Sequence, residues 1–148
     1  MKKRLLMLIV VPMLGLALVG SGFSAQVQPA QAAASCATIT WITIGSASVP
    51  VSGGTLTAAV QAAYDSHNHN DYCGGLRGKG TLTKPSGGGG TLTITLFAGG
   101  TWTGSTAVPN GSTTQNAYAG PSYVSDCGRA TATFAGTQAI MTSNRCAA

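Results

Sequence analysis

The segment Thr91-Leu-Thr-Ile-Thr-Leu-Phe97 alternates threonine with large aliphatic residues up to its last position. This alternation is typical of a β-strand with one face on a core and the other in water, because successive side chains point to opposite faces. Leu92, Ile94 and Leu96 would then face the core. The segment therefore predicts a β domain.

Other strand and loop signals occur on both sides of this segment. Residues 37–44 are β-branched and aromatic, which predicts a strand. Its apolar residues change parity between Trp41 and Ile42, so the strand is either bulged or buried on both faces. Shorter strands are predicted at residues 80–84 and 101–103. Stretches rich in Gly, Pro, Ser or Asn predict loops or turns, at residues 45–54, 74–80, 85–90 and 108–121.

One segment departs from the β pattern. In residues 55–66, Leu56, Val60 and Tyr64 recur at helical spacing among alanines, which are poor strand formers. This spacing predicts a short helix. The predicted fold class is therefore a small, mainly β, antiparallel domain with one short helix near residues 55–66 and two disulfides.

The two disulfides are predicted from four cysteines, an even number: Cys36, Cys73, Cys127 and Cys146. Three pairings are possible, and we favour Cys36–Cys73 with Cys127–Cys146. The second pair rests on a hairpin predicted around Gly136-Thr137, where the glycine suits the first central position of a type II′ turn. With that turn the last two cysteines lie opposite each other near the open end of the hairpin.

The first 32 residues have the pattern of a secretory signal peptide. Three basic residues at positions 2–4 precede an apolar run at 5–19, and Ala30-Gln31-Ala32 supplies a small-residue cleavage sequence. The apolar run is too short for a membrane anchor, which needs about 20 residues. We therefore predict cleavage near Ala32.

Cleavage would leave a single secreted β-rich domain, residues 33–148, with no membrane span. The intact chain of 148 residues has eight Lys or Arg, three Asp and no Glu. Three of the basic residues belong to the signal, so the mature domain is too weakly positive for phosphates or an anionic membrane to attract it strongly. Gly, Ser and Thr far outnumber branched apolar residues, and disulfides commonly supplement so thin a core in exported domains. The leader is typical of a bacterial exported protein.

One polar loop offers candidate metal ligands. His67, His69 and Asp71 would share a face if the chain were extended, within reach of one cation. The string resembles the opening of the H-x-H-x-D-H metal motif of the metallo-β-lactamases. Tyr72 stands where the final His belongs, however, and the chain has only two His, so we do not assign it to that family. The alternative is a solvated loop.

Catalytic motifs are scarce in this sequence. It contains no G-x-S-x-G nucleophile motif, no G-x-x-x-x-G-K-[ST] phosphate loop and no obvious pair of carboxylates. We therefore expect a protein that is not an enzyme and that needs no cofactor. The alternative is a secreted metal-dependent or hydrolytic enzyme, or a metal binder, centred on His67, His69 and Asp71.

Threonines recur in Thr-x-Thr pairs, three of which begin ten residues apart, at Thr81, Thr91 and Thr101. If stacked, these strands would form a flat array that resembles the ice-binding faces of Thr-rich β-solenoid antifreeze proteins. Thr91, Thr93 and Thr95 are accordingly candidate residues for binding ice or a polymer. The alternative is that threonine is simply a good residue for the solvent-facing side of a strand.

Aromatic residues give the last candidate surface. Trp102, Tyr118 and Tyr123 have polar, Gly-rich or Pro-rich neighbours and could form a platform for a sugar ring or cell-wall polymer. Trp41, flanked by isoleucines, is expected in the core. The leading prediction is an exported binding or structural domain with an unknown extracellular ligand. A glycan or cell-wall polymer is one candidate ligand, and no nucleic-acid partner is expected. A further alternative is a secreted inhibitor that presents residues 108–121.

Overall fold

In a computed structural model, the described residues are 36–83 and 89–147, and the predicted signal peptide lies outside them. The described part contains nine strands, no helix and therefore no helix able to cross a bilayer. The strands are β1 (Ile39–Val51), β2 (Gly54–Asp65), β3 (Tyr72–Thr83), β4 (Gly90–Phe97), β5 (Thr101–Val108), β6 (Thr114–Ser122), β7 (Cys127–Phe134), β8 (Thr137–Ile140) and β9 (Arg145–Cys146).

The strands form two antiparallel sheets that enclose one core. Sheet A has the order β1-β2-β3-β6, and sheet B has the order β5-β4-β7-β8, with β9 also paired to β7. Leu56 and Val60 of β2 belong to the same buried cluster as Leu92, Ile94 and Leu96 of β4. The inward orientation predicted for these three β4 residues is therefore confirmed.

Two glycines of β3 let the sheets approach closely. A Cβ added to Gly78 or Gly80 would lie 3.1 or 3.2 Å from Ile94 of the facing sheet. The predicted flexible turn at residues 74–80 is wrong, because Gly78 and Gly80 lie within β3. These glycines take inward positions, which alternate with the outward positions of Arg77 and Lys79. Because Gly78 and Gly80 have no side chains, the large side chain of Ile94 fills the small core between the sheets.

The predicted helix at residues 55–66 is wrong, since this segment is β2. Leu56, Val60 and Tyr64 lie on its inner side with the alanines between them, as the two-residue period of a strand requires. Its outer side is also buried, at Ala63 and Gln61 among others. An apolar strand that is covered on both faces shows no alternation between wet and dry positions, so its sequence mimics a helix.

Strand β1 is bulged, one of the two arrangements predicted from its change of parity. Its pairing with β2 shifts register between Thr43 and Gly45. Trp41 precedes the bulge and lies on the outer side of sheet A, so the expectation that it belongs to the core is wrong. The predicted loop at residues 45–54 is also wrong in its extent, since β1 continues to Val51.

Most of the predicted loop at residues 108–121 is strand β6 (Thr114–Ser122), which pairs with β3. Its inward residues include Ala117 and Ala119, both fully or almost fully buried. Alternation of alanine with polar residues is a weak signal for a strand, whereas the neighbouring Pro and Gly residues are strong signals for a loop. The connection between β5 and β6 is left with residues 109–113.

Both predicted disulfides, Cys36–Cys73 and Cys127–Cys146, are present. The hairpin behind the second one differs from the prediction, because its turn lies at Ala135-Gly136. Both residues have positive φ, 48° and 79°, as a type I′ turn requires. The resulting β7–β8 register differs from the predicted one by two positions, and extra residues between β8 and β9 bring the cysteines opposite each other again.

Candidate functional site

The outer faces of the two sheets carry most of the exposed side chains that could bind a ligand. On sheet A, the strand register brings together residues that are distant in the sequence and that we call the Arg77 cluster. Its members come from all four strands of the sheet: Trp41, Gln61, Arg77, Lys79, Asn116 and Tyr118.

Arg77 occupies the centre of this cluster between two aromatic rings. Its Cζ lies 4.5 Å from the centroid of the Trp41 ring and 4.6 Å from that of the Tyr118 ring. Because β1 and β6 lie on opposite sides of β3, the two rings approach the guanidinium from opposite directions. Both contacts are within the range of cation–π interactions. The contact with Trp41 passes over β2, which explains why the outer side of that strand is buried.

A chain of hydrogen bonds fixes the Arg77 side chain further. Its Nε donates to Gln61 Oε1 at 2.9 Å, and Gln61 Nε2 donates in turn to Thr43 Oγ1 at 3.2 Å. Burial lowers the pKa of Arg77 from its usual value, because the charged form loses part of its hydration. Arginine nevertheless stays protonated in proteins, so the cluster holds a fixed, oriented positive charge.

The two charged members of this cluster, Arg77 and Lys79, are both positive. Lys79 lies on the same face as Arg77, two residues along β3, and is directly opposite Tyr118 of β6. Within the described residues, the one ion pair found joins His67 and Asp65, so no carboxylate neutralises either cation of the cluster. Tyr118 is 46% exposed, which leaves part of its ring available to a ligand.

The outer face of sheet B carries a second regular surface, which we call the Thr face. Register places Thr95 beside Thr103 on one side and Thr131 on the other, and Thr93 between Ser105 and Thr133. Adjacent strands lie about 4.8 Å apart, so the hydroxyls and methyls form rows across three strands. The Thr face consists of Thr91, Thr93, Thr95, Thr101, Thr103, Ser105, Thr131 and Thr133.

The Thr face differs from the predicted solenoid in how it is built. Thr81 lies on β3 in sheet A, so the three pairs that begin ten residues apart do not stack together. Thr131 and Thr133 of β7 complete the surface instead. The neighbouring strands are antiparallel, as in a sandwich, and do not follow the coils of a solenoid.

The structure does not gather the predicted metal ligands into a metal-binding cluster. His67, His69 and Asp71 lie in the exposed connection between β2 and β3, and no group of three His, Cys, Asp or Glu suited to a metal occurs in residues 36–83 and 89–147. Asp71 Oδ2 accepts a hydrogen bond of 2.8 Å from Asn68 Nδ2.

His67 also lies near hydroxyl groups, but not in the arrangement of a catalytic triad. Its Nδ1 is 3.3 Å from Ser66 Oγ and from Thr38 Oγ1, and 3.6 Å from Asp65 Oδ1. A triad needs the acid on one ring nitrogen and the nucleophile on the other, whereas here both approach Nδ1. The hydrogen bond from the His67 backbone N–H is the main cause that lowers the pKa of Asp65. This carboxylate therefore orders the turn.

The remaining predicted aromatic residues lie apart from one another. Trp102 is half-buried and packs against the core, so its ring is not the free platform expected from its sequence neighbours. Tyr118 belongs to the Arg77 cluster. Tyr123 is 45% exposed but follows β6, with its ring against Gly75.

Sequence reasoning missed Arg77 as a site residue. The signal was present in Leu76-Arg-Gly-Lys-Gly-Thr-Leu82, which alternates polar residues with glycine or leucine at the two-residue period of a strand. Because glycine occupies its inward positions, the segment resembles a turn in sequence.

Comparison of the chain with protein-family models, with curated proteins and with solved structures finds no match.

Proposed function

We propose that this protein is an exported domain that binds an extracellular glycan or cell-wall polymer through the Arg77 cluster. The observation that carries the proposal is a guanidinium held between two aromatic rings on a solvent-facing sheet, with no carboxylate partner in the described residues. Polar hydrogen-bonding groups beside an amphipathic aromatic ring suit a sugar, which has both hydroxyls and apolar C–H surfaces.

Export is supported by the leader pattern of residues 1–32 and by the two disulfides. Structural disulfides persist in oxidising compartments and stabilise domains with small cores. Protein secreted by its host should therefore begin near Ala33 and contain no free thiol. Mass spectrometry of the purified product checks both, and a product that keeps the leader and four free cysteines would contradict export.

A binding role is favoured over a catalytic one by the chemistry of the described residues. His67 is the imidazole nearest to hydroxyl groups, and its geometry is unsuited to nucleophilic catalysis. The Arg77 cluster holds a permanent cation and amides but neither an imidazole nor a carboxylate to move a proton. Its preorganised donors are suited to recognition.

Retention on insoluble polysaccharides tests the proposal, with Tyr118→Ala as the variant and Tyr123→Ala as the control. The two tyrosines are almost equally exposed, at 46% and 45%, but only Tyr118 contacts Arg77. Loss of the aromatic contact should weaken retention about 3- to 10-fold. Wild-type retention by Tyr118→Ala, or an equal loss in both variants, would refute a role for the cluster.

A second candidate function is supported by the Thr face. Rows of hydroxyls and methyls at regular spacing suit an ordered, hydrated surface such as ice, although the twist common to β-sheets limits how far such a lattice extends. Thermal hysteresis of the purified protein tests this function. A bulky Thr95→Tyr substitution should abolish it, while Thr83→Tyr on sheet A should not; normal ice growth with the wild-type protein ends this candidate.

A further inference from the structure

We infer that the ligand of the Arg77 cluster is an acidic polysaccharide whose charge is carried by carboxylates. This inference rests on the proposed function and narrows it, because a glycan-binding surface can equally select neutral polymers. Three features of the cluster support it: the kind of hydrogen-bonding groups left free, the shape of the space around the guanidinium, and the sign of the nearby charges.

The hydrogen-bonding groups left free are predominantly donors. A guanidinium has five N–H groups, of which Arg77 uses the one on Nε to bond Gln61. Asn116 Oδ1 already accepts a hydrogen bond of 2.9 Å from Thr81 Oγ1, which leaves the two N–H groups of its amide. Lys79 adds three more donors. Gln61 Oε1 and Asn116 Oδ1 each already accept one hydrogen bond within the sheet, so donors outnumber acceptors among the remaining groups and match an acceptor-rich anion.

The shape around Arg77 favours a planar anion. The two rings flank the guanidinium, with their centroids 4.5 and 4.6 Å from Cζ, so a ligand reaches its remaining N–H groups between the rings. A carboxylate can accept two parallel hydrogen bonds in the plane of a guanidinium. The remaining exposed part of Tyr118 can contact the sugar ring that carries the carboxylate.

The charges near the guanidinium also favour an anionic ligand. Arg77 and Lys79 lie two residues apart on one strand face, about 7 Å along the strand. Asp65 is the acidic residue on the outer side of the adjacent strand β2, four residues beyond Gln61, and its Oδ1 is engaged by the His67 and Asn68 backbone N–H groups. Two cations are too few for the many phosphate contacts that give nucleic-acid binding its affinity, but they suit a polymer with spaced carboxylates.

The test compares polygalacturonate with the same polymer after methyl esterification, which keeps the sugar backbone and removes the charge. The intact mature domain is measured by affinity electrophoresis against each polymer, against neutral dextran and against single-stranded DNA. We expect binding to polygalacturonate at least 10-fold tighter than to its methyl ester, with affinity falling as NaCl is raised from about 50 to about 500 mM. Single-stranded DNA should bind more weakly than polygalacturonate.

Arg77→Gln is the principal variant, and Arg129→Gln is its control. Arg129 also lies over an aromatic ring, Phe97 at 5.2 Å, but on sheet B, so its loss changes the net charge equally. Loss of charge-assisted hydrogen bonds should weaken polygalacturonate binding by Arg77→Gln about 10- to 100-fold, with less than about a 2-fold effect in Arg129→Gln. Because Arg77 also covers β2, Lys79→Ala provides a second variant on the same surface, and urea midpoints verify that each variant is folded.

Three outcomes separate the inference from the proposed function. Equal binding to polygalacturonate and its methyl ester, or a preference for dextran, overturns the carboxylate inference while the glycan-binding function stands. Tighter binding to single-stranded DNA than to polygalacturonate overturns both in favour of a nucleic-acid surface. Absence of binding to every polysaccharide, in this test and on the insoluble polymers, overturns both.

Discussion

Replacement of Gly104 by alanine tests a close approach between the two sheets. Gly104 lies on β5, and its inward side faces β6 of sheet A. A Cβ at this position would lie 1.7 Å from the carbonyl oxygen of Tyr118 and 2.7 Å from its carbonyl carbon. The obstacle is backbone within a paired strand, so no side-chain rotation can relieve the contact.

The magnitude of the effect follows from this geometry. A carbon–oxygen contact is normally about 3.3 Å or longer, so the strands would have to separate by about 1.6 Å. Overpacking of a core commonly costs about 1–3 kcal/mol, and the rigid obstacle places Gly104→Ala at the upper end. Reduced freedom of the unfolded chain offsets less than about 1 kcal/mol of this cost. The net loss should therefore be at least about 2 kcal/mol.

Urea unfolding of the disulfide-intact protein measures this loss. With a typical denaturant dependence of about 2 kcal/mol per molar, the midpoint should fall by about 1 M. Ser105→Ala is the control, because the adjacent side chain is exposed on the other face of β5 and its loss should change stability by less than about 0.5 kcal/mol. A midpoint for Gly104→Ala within the error of wild type would refute the close approach of β5 and β6.

Three further predictions concern stability. Replacing Cys36 and Cys73 together with serine opens a crosslink across a sequence separation of 37 and should cost about 4 kcal/mol in urea unfolding; a loss below about 1 kcal/mol would contradict the chain-entropy argument. Burial and, after it, a hydrogen bond with Asp126 raise the pKa of Tyr72 to about 12 from 10.0. Between these pH values the unfolded state loses the proton first, so stability should fall as pH rises, and Tyr72→Phe should lessen that fall; an identical pH profile would contradict this assignment. Ala135→Asn should stabilise the protein by about 0.5–1 kcal/mol, because asparagine tolerates the φ of 48° better; a lower melting temperature would count against the type I′ turn.

The features that rest on local or pairwise signals could be predicted from the amino-acid sequence. Strand β4 was predictable because one of its faces is wet and the other dry, so threonine and aliphatic residues alternate strictly. The Cys127–Cys146 disulfide was predictable because a hairpin brings residues on its two arms together. Its exact turn was not, since Ala135 has no strong preference for positive φ and the return strand carries extra residues.

Strands that are covered on both sides could not be predicted from local sequence patterns. The sequence of β2 shows no two-residue period, because the contact between Arg77 and Trp41 covers its outer side. The inward glycines of β3 resemble a turn in sequence, because the large residue that packs against them, Ile94, lies in the other sheet. The Arg77 cluster has the same origin. Its residues are brought together by strand order and register, and no local pattern encodes which distant strands become neighbours. The sequence was thus sufficient to predict a disulfide-bonded β protein, while long-range pairing brought together the side chains that share each surface.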